Sequence, residues 1–353
     1  MSPAARRAEG DPRTCLRTLT EGRDLTAAES EALFATVMDG ETTAIMIAAL
    51  LAALRTKGET PGEIAGAARV MRSRAQRVET ERAPLVDTCG TGGDFSGTFN
   101  ISTTAAFVTA AAGVAVAKHG NRAASSRSGS ADVLESLGVA IDLPPEGVGR
   151  CIDEIGIGFL FAPRFHPAMR HAIGARREIA IRTVFNLLGP LTNPAGATRQ
   201  VIGVPGPDVV ELMAGVLHEL GSEHALVVHG REGLDEISVS GPTIVASVRQ
   251  DAVTTDVVEP GDLGIEPHDP EQLAGGDPAE NARILASVLA GKGTAAQEAI
   301  TAANAGAALF VAGVADGLRE GVERARETIA SGAAVETLKA LVDLSRQLSR
   351  EAS

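Results

Sequence analysis

From Asp87 to Thr103 the chain reads Asp-Thr-Cys-Gly-Thr-Gly-Gly-Asp-Phe-Ser-Gly-Thr-Phe-Asn-Ile-Ser-Thr. These residue types at this spacing suit a loop that grips a phosphorylated ligand. Leu85 and Val86 lead in as the end of a short strand. Gly90, Gly92 and Gly93 follow, and glycines let backbone amides approach a ligand closely. Asn100-Ile101-Ser102-Thr103-Thr104 comes next, then an apolar, Ala-rich run from Ala105 to Ala112. That run is expected to be a buried helix capped by its Ser/Thr cluster. A helix start behind a glycine loop offers free N–H donors and a positive dipole end to an anion. The loop is not a dinucleotide fingerprint, because Phe95 holds the third glycine position, and no Gly-Lys-Ser/Thr ends it as in a Walker loop. Gly291-Lys292 is followed by Gly293 and reads as a helix-ending turn. A strand-to-helix turn without a ligand is the plain alternative. Asp94, Asn100, Ser102 and Thr103 supply more polar groups than such a turn needs.

Other groups could complete a site. Asp235-Glu236 is an adjacent acidic pair after a turn containing Gly230 and Gly233, suited to Mg²⁺ or else simply solvated. Lys118 is a point charge for phosphate, or a surface lysine at a strand end. Arg176 could clamp a carboxylate through two parallel bonds, or lie on a solvated helix face as Arg177 beside it does. His119 and His166 are weak signals alone. His166 and His171 do not have zinc-ligand spacing. Cys89 beside the loop could act as a nucleophile, but reads better as a small buried residue at a strand end.

The elements that must position these groups form a regular pattern. Residues 14–80 read as helices: Thr26-Ala27-Ala28-Glu29 and Thr60-Pro61-Gly62-Glu63 are capping boxes, and Thr42 or Thr43 opens the helix between them. From Pro84 short strands alternate with helices, ending respectively near Val86, Lys118, Phe161, Val204 and Val228, with Asn186 to Gly196 expected to be rich in turns. Residues 243–258 look like two β-rich pieces, and 279–350 return to helices. Strand–helix alternation argues for an α/β fold with a mainly parallel central sheet flanked by helices. Ligands in such a sheet sit beyond the carboxyl ends of the strands. Gly90–Asp94, Lys118–Asn121 and His229–Glu236 all fall there.

With 353 residues the chain is expected to form about two domains. No run of about 18 apolar residues occurs, so no membrane partner is expected. The net charge of −13 argues against duplex nucleic acid, whose phosphates need a basic field. Cys15, Cys89 and Cys151 provide neither a disulfide framework nor metal-ligand spacing, which fits a reducing, cytoplasmic setting. Residues 1–13 read as a flexible tail.

Several motifs in order narrow the reading. The glycine loop and Asn100–Thr103 are followed by Lys118-His119-Gly120-Asn121-Arg122 and Gly129-Ser130-Ala131-Asp132-Val133-Leu134-Glu135. Phe161-Ala162-Pro163, His166-Pro167-Ala168-Met169, Arg182–Leu191 and Gly233-Leu234-Asp235-Glu236 complete the series. Together, over about 14 to 345, they resemble the anthranilate phosphoribosyltransferase family of tryptophan biosynthesis. The resemblance implies a small N-terminal helical bundle domain at 14–80, joined by the helical segment 167–195, beside a larger α/β domain at 84–166 and 197–350. It also implies a homodimer, for which the apolar Ile45–Leu54 helix is a candidate interface. The implied reaction moves phosphoribose from phosphoribosyl pyrophosphate to the amine of anthranilate, with Mg²⁺. Gly90, Gly93, Asp94, Thr98, Asn100, Ile101, Ser102 and Thr103 would then cradle phosphoribosyl pyrophosphate. Lys118, His119, Gly120, Asn121, Arg122, Ala123, Ala124, Ser125, Ser126 and Ser130 would continue that site. Gly90, Asn121 and Arg176 would receive anthranilate, and Ser102, Asp235 and Glu236 would hold Mg²⁺. No residue is assigned as a general base, because an aromatic amine is already a neutral nucleophile. Arg127 stands where lysine is frequent in the family and keeps the charge. A pyrimidine nucleoside phosphorylase, a non-catalytic nucleic-acid-binding relative and a plain Mg²⁺-nucleotide-binding regulatory module are the rival readings.

Overall fold

Helix-start signals dominate the N-terminal part of the chain, and each is used. The computed structural model describes residues 10–94, 96–123 and 127–352. Helices α1 (Pro12–Thr20), α2 (Ala27–Met38), α3 (Ala44–Lys57) and α4 (Pro61–Arg74) form the N-terminal bundle. Thr26–Glu29 and Thr60–Glu63 make reciprocal capping boxes, and Thr43 accepts the Met46 N–H. Glu63 does a second job: buried, it also receives the Leu25 N–H at 2.9 Å and the Lys57 ammonium at 3.0 Å. Removing Lys57 would strand that carboxylate away from water, which makes the contact costly to break.

The remainder is built on one sheet. Its strands are β1 (Leu85–Gly90), β2 (Ala115–Gly120), β3 (Ile157–Phe161), β4 (Arg199–Gly203), β5 (His224–Gly230), β6 (Thr243–Arg249) and β7 (Val253–Val258). They lie in the order β3-β2-β1-β4-β5-β6-β7. The pairs from β3 to β5 are parallel, and β6 and β7 add antiparallel. Parallel neighbours need crossovers, supplied by α5 (Ile101–Ala111), α6 (Ser130–Ser136), α7 (Pro145–Ile155), α8 (Ala162–Phe165), α9 (Arg170–Ile179), α10 (Val184–Leu191) and α11 (Pro207–Glu219). α12 (Pro278–Leu289), α13 (Ala295–Ala312), α14 (Leu318–Ser331) and α15 (Ala333–Glu351) close the chain.

Side chains alternate across the strands, so the sheet has a core on each face. Val201, Leu226 and Val228 face one core with α5, α13 and α15. Ile202, Ala225 and Val227 face the other, which is continuous with α1–α4 and α9–α11. The order in which strands are added reverses about β1: β2 and β3 lie on one side, β4 and β5 on the other. That switch point opens a crevice at the carboxyl ends of β1 and β4.

Two local expectations change. Asn186–Gly196 is not all turn, because α10 runs through Leu191 with Pro190 inside it. The Thr183 N–H donates to Asn186 Oδ1 at 2.9 Å, and Val184, Phe185, Leu188 and Leu191 bury one face. That apolar stripe outweighs the turn signal of Gly189-Pro190. The Ser/Thr cluster does not cap α5 either. Asn100 holds the N-cap position without a side-chain cap bond, and Thr103 and Thr104 are buried inside the helix.

The core carries a pH-sensitive feature. His119 and His166 pack edge to face, 5.1 Å between centroids. Burial pushes them down to about 3 and about 4 respectively, and His224 to about 4. The unfolded chain titrates near pH 6.5, so each depressed histidine stabilises the fold above that value and loses the contribution as pH falls toward its folded pKa. Between pH 7 and 5 the loss is about 2 kcal/mol per buried histidine. His166→Phe should therefore flatten the acid limb of a stability-versus-pH curve by that amount. Unfolding by urea at both pH values measures it, and parallel curves for the two proteins would refute the assignment.

Candidate active site at the strand switch point

The glycine loop leaves β1 at Gly90, and its first amide is already committed: the Thr91 N–H donates to the Gly203 carbonyl at 2.9 Å. This bond spans the crevice between β1 and β4. Gly203 is required there, because a Cβ would overlap the Asp235 backbone. The 230–236 turn can therefore lie directly on the strand ends. Asn304 on α13 fixes it: its amide receives the Ile237 N–H at 2.9 Å and donates to the Ile237 carbonyl at 3.1 Å. Asp235 and Glu236 are thus held by a buried side chain from a distant helix.

Three carboxylates converge. Asp94 lies beside Asp235, and burial with the Asp94 charge raises the Asp235 carboxyl above the usual range. Glu236 rises well above it, through burial and the Asp235 charge. Glu236 Oε1 also accepts the Ser102 N–H at 3.0 Å, which ties the acidic pair to the start of α5. Like charges this close favour protonation or a cation. Among the described residues, no group of three or more His, Cys, Asp or Glu side chains is set as a metal cage. A pair of carboxylates with open positions fits Mg²⁺, which keeps waters and takes phosphate oxygens.

Beneath them lies a buried charged layer. The Lys118 ammonium donates to the Thr88 carbonyl, and Thr88 Oγ1 donates to the Ser102 carbonyl at 3.1 Å. Asp87, 0% exposed, accepts the His119 N–H at 3.1 Å and the Asn193 amide at 2.8 Å. Burial pushes the Asp87 carboxyl up and the Lys118 ammonium down, against their mutual attraction. Lys118 is therefore part of the floor, and not a surface lysine. Cys89 is buried and its thiol is pushed well up by burial, which disfavours the thiolate that a nucleophile needs.

The structure gathers Gly90, Gly93, Asp94, Ser102, Lys118, Asp235 and Glu236 about this point. Thr98 pairs with Ala274, Ile101 and Thr103 are buried at the helix start, and Asn100 reaches the Ser128 carbonyl at 3.1 Å. Gly120 ends β2. Exposed Asn121 folds its side-chain oxygen onto the Arg122 N–H at 2.7 Å, and its carbonyl accepts the Ser130 hydroxyl at 3.3 Å. The Ala123 N–H donates to Asp132 at 2.9 Å. Ala124, Ser125 and Ser126 lie outside the described residues. Two placements differ from a direct phosphate contact. The His119 ring packs in the core with Nδ1 3.0 Å from the Gly189 carbonyl, and the Arg122 guanidinium pairs with Asp132 and Glu135 over the Phe161 ring. A strand-end motif reads as one unit in sequence, but alternation turns its neighbours to opposite faces.

The segment carrying α9 and α10 delivers two arginines. The Arg176 guanidinium lies over the Phe185 ring, 5.1 Å from its centroid, half-buried and with no carboxylate partner among the described residues. Burial lowers its pKa, with no neighbouring charge to compensate. A desolvated guanidinium in that state suits a planar carboxylate. Arg182 donates to the Gly92 carbonyl at 3.0 Å and packs on Gly93, whose φ of +86° and missing Cβ make room for it. The sequence shows Arg182 only as a motif letter. Asn193 and Asn304 carry no sequence signal at all, because both act through contacts far away in the chain.

Comparison with known proteins agrees with this geometry. Residues 13–75 match the helical bundle domain of a glycosyl transferase family, and residues 82–335 match its a/b domain. The anthranilate phosphoribosyltransferase of Symbiobacterium thermophilum is 55% identical over 338 residues, 96% of this chain and 99% of the relative. The crystal structure of the Thermus thermophilus enzyme of that name superposes with a TM-score of 0.90 at 46% identity, over 94% of this chain and 99% of that one. That from Saccharomyces cerevisiae, in complex with phosphoribosyl pyrophosphate and Mg, gives 0.86 at 28% identity, over 96% and 98%. Alike in sequence over nearly its whole length and in fold from bundle to sheet, the chain belongs to the anthranilate phosphoribosyltransferase family.

Proposed function

We propose that this protein transfers the 5-phosphoribosyl group from phosphoribosyl pyrophosphate to the amine of anthranilate, releasing pyrophosphate. The observation that supports the reading is the convergence of Asp94, Asp235 and Glu236 beside the glycine loop, where burial and mutual repulsion raise the Asp235 and Glu236 carboxyls. Asp235 and Glu236, with Ser102 beside them, would hold Mg²⁺, which neutralises the leaving pyrophosphate. The glycine-loop amides and the start of α5 bind and orient the phosphates. Arg176 takes the anthranilate carboxylate and aims its neutral amine at the ribose carbon. Catalysis is then positioning plus electrostatics, and no side chain is needed as a base.

The relatives do not favour the phosphorylase or the nucleic-acid reading, and the acidic balance opposes the latter. A homodimer and a cytoplasmic setting complete the proposal. Exposed Ile45, Ile173 and Ile181 on the bundle side support the first, and Cys15, Cys89 and Cys151, all buried and joined in no disulfide among the described residues, are consistent with the second. No helix of the described residues is long and apolar enough to cross a membrane. The test is stoichiometry: one pyrophosphate released per anthranilate consumed. Phosphate-dependent cleavage of a nucleoside, without pyrophosphate release, would replace this reading by the phosphorylase.

A further inference from the structure

A strap far along the chain holds the loop after β1, and none of the sequence motifs includes it. Residues 273–277 run antiparallel to residues 97–99. The Phe99 N–H donates to the Leu273 carbonyl at 3.1 Å, the Gly275 N–H donates to the Gly97 carbonyl at 2.9 Å, and Thr98 pairs with Ala274. Behind the strap, Asn281 sits on α12 at 2% exposure. Its Oδ1 accepts the Gly276 N–H at 2.7 Å, and its Nδ2 donates to Asn100 Oδ1 at 2.9 Å. Asn100 Nδ2 in turn donates to the Ser128 carbonyl at 3.1 Å, and the Ser128 hydroxyl returns to Asn100 Oδ1 at 3.3 Å. Asn100 therefore leaves the α5 cap unmade because its amide is used sideways. A Cβ on Gly275 would lie 2.6 Å from the Phe99 nitrogen and 2.7 Å from Asn281 Oδ1, so the strap can lie this close only with glycine there.

We propose that Asn281 is a positioning residue that fixes the spacing of the loop after β1 against the loop after β2, and so sets the affinity for phosphoribosyl pyrophosphate. The inference rests on the transferase reading. A buried amide whose two ends are both paired has one allowed orientation, and it passes that orientation on to Asn100. On the transferase reading both loops line the same ligand, so an error in their spacing weakens every contact made across the gap. Of the residues assigned to anthranilate, Arg176 comes from a different segment, Gly90 is fixed by its pairing with Gly203 in the sheet, and Asn121 is anchored through its carbonyl by the Ala131 N–H at 3.2 Å and the Ser130 hydroxyl at 3.3 Å, so all three lie outside the relay.

Asn281→Asp keeps the shape and the Gly276 bond but sets oxygen against oxygen at Asn100. Asn281→Ser removes the reach without burying a charge, and covers the case in which the aspartate variant does not fold. Each is measured for both KM values and for phosphoribosyl pyrophosphate binding by calorimetry with Mg²⁺. The expected result is a KM and Kd for phosphoribosyl pyrophosphate raised about tenfold or more, with the anthranilate KM within about twofold of the parent. A lowered Tm with both KM values unchanged, or an equal rise in both, overturns the proposal. An inactive parent protein that binds no phosphoribosyl pyrophosphate overturns the transferase reading itself, and the relay's role with it.

Discussion

Arg176→Ala is expected to raise the KM for anthranilate about a hundredfold and to leave that for phosphoribosyl pyrophosphate nearly unchanged. The guanidinium is half-buried, has no carboxylate partner among the described residues, and rests on Phe185. A charge-assisted, bidentate contact made there is worth about 3 kcal/mol, and about 1.4 kcal/mol is a factor of ten. Arg176→Lys separates charge from geometry: the ammonium keeps the first and loses the planar fork, so its KM should fall between alanine and the parent. Steady-state kinetics with each substrate varied in turn checks both. A matching rise in both KM values would mean that Arg176 supports the fold of the α9–α10 segment and does not face anthranilate.

Glu236→Gln should have the larger effect on turnover and the opposite effect on stability. Glutamine is nearly isosteric and its oxygen can still accept the Ser102 N–H now made at 3.0 Å. It removes a carboxylate whose ionisation is opposed by burial and by Asp235. The metal-free variant should thus melt higher than the parent near neutral pH, by a few degrees for about 1 kcal/mol or more relieved. Activity should fall about a thousandfold, because a charge that would hold Mg²⁺ beside the pyrophosphate is lost. Asp235→Asn should behave alike. Scanning calorimetry and initial rates across a Mg²⁺ series read the two effects separately. Unaltered activity with unaltered Mg²⁺ dependence would remove the acidic pair from the mechanism.

The expected gain in stability on losing function has a physical origin. Asp94, Asp235 and Glu236 are brought together by Gly203, which lets Asp235 lie on β4, and by Asn304, which grips Ile237. Both devices hold repelling charges in place at some cost to the fold. Sites of this kind are where stability and activity trade off.

Much of this was legible in the sequence, for identifiable reasons. The helix starts at Thr26, Thr43 and Thr60 are local signals, and local hydrogen bonds honour them. The parallel strands were visible as short apolar runs before glycine or polar clusters, since both faces of this sheet are buried. Chemistry at their carboxyl ends then follows from the topology. What failed to show was tertiary. α10 forms in spite of Gly189-Pro190 because Phe185 packs on Phe34 of the bundle, far away in the chain, with 5.8 Å between ring centroids. His119 and Lys118 are adjacent in one motif, yet one enters the core beside His166 and the other lies in the site floor. Asn193, Asn281 and Asn304 are ordinary letters until the fold sets each against groups supplied by other parts of the chain. Amide side chains that position a loop have no spacing rule to betray them.

The most direct measurement follows anthranilate fluorescence in the presence of the protein, phosphoribosyl pyrophosphate and Mg²⁺. The chain contains no Trp and no Tyr, so its own emission is weak and the substrate signal stands clear. The expected result is a steady loss of fluorescence that requires both phosphoribosyl pyrophosphate and Mg²⁺ and that is abolished in the Asp235→Asn, Glu236→Gln double variant. A folded protein that leaves the signal unchanged at every Mg²⁺ concentration would contradict it.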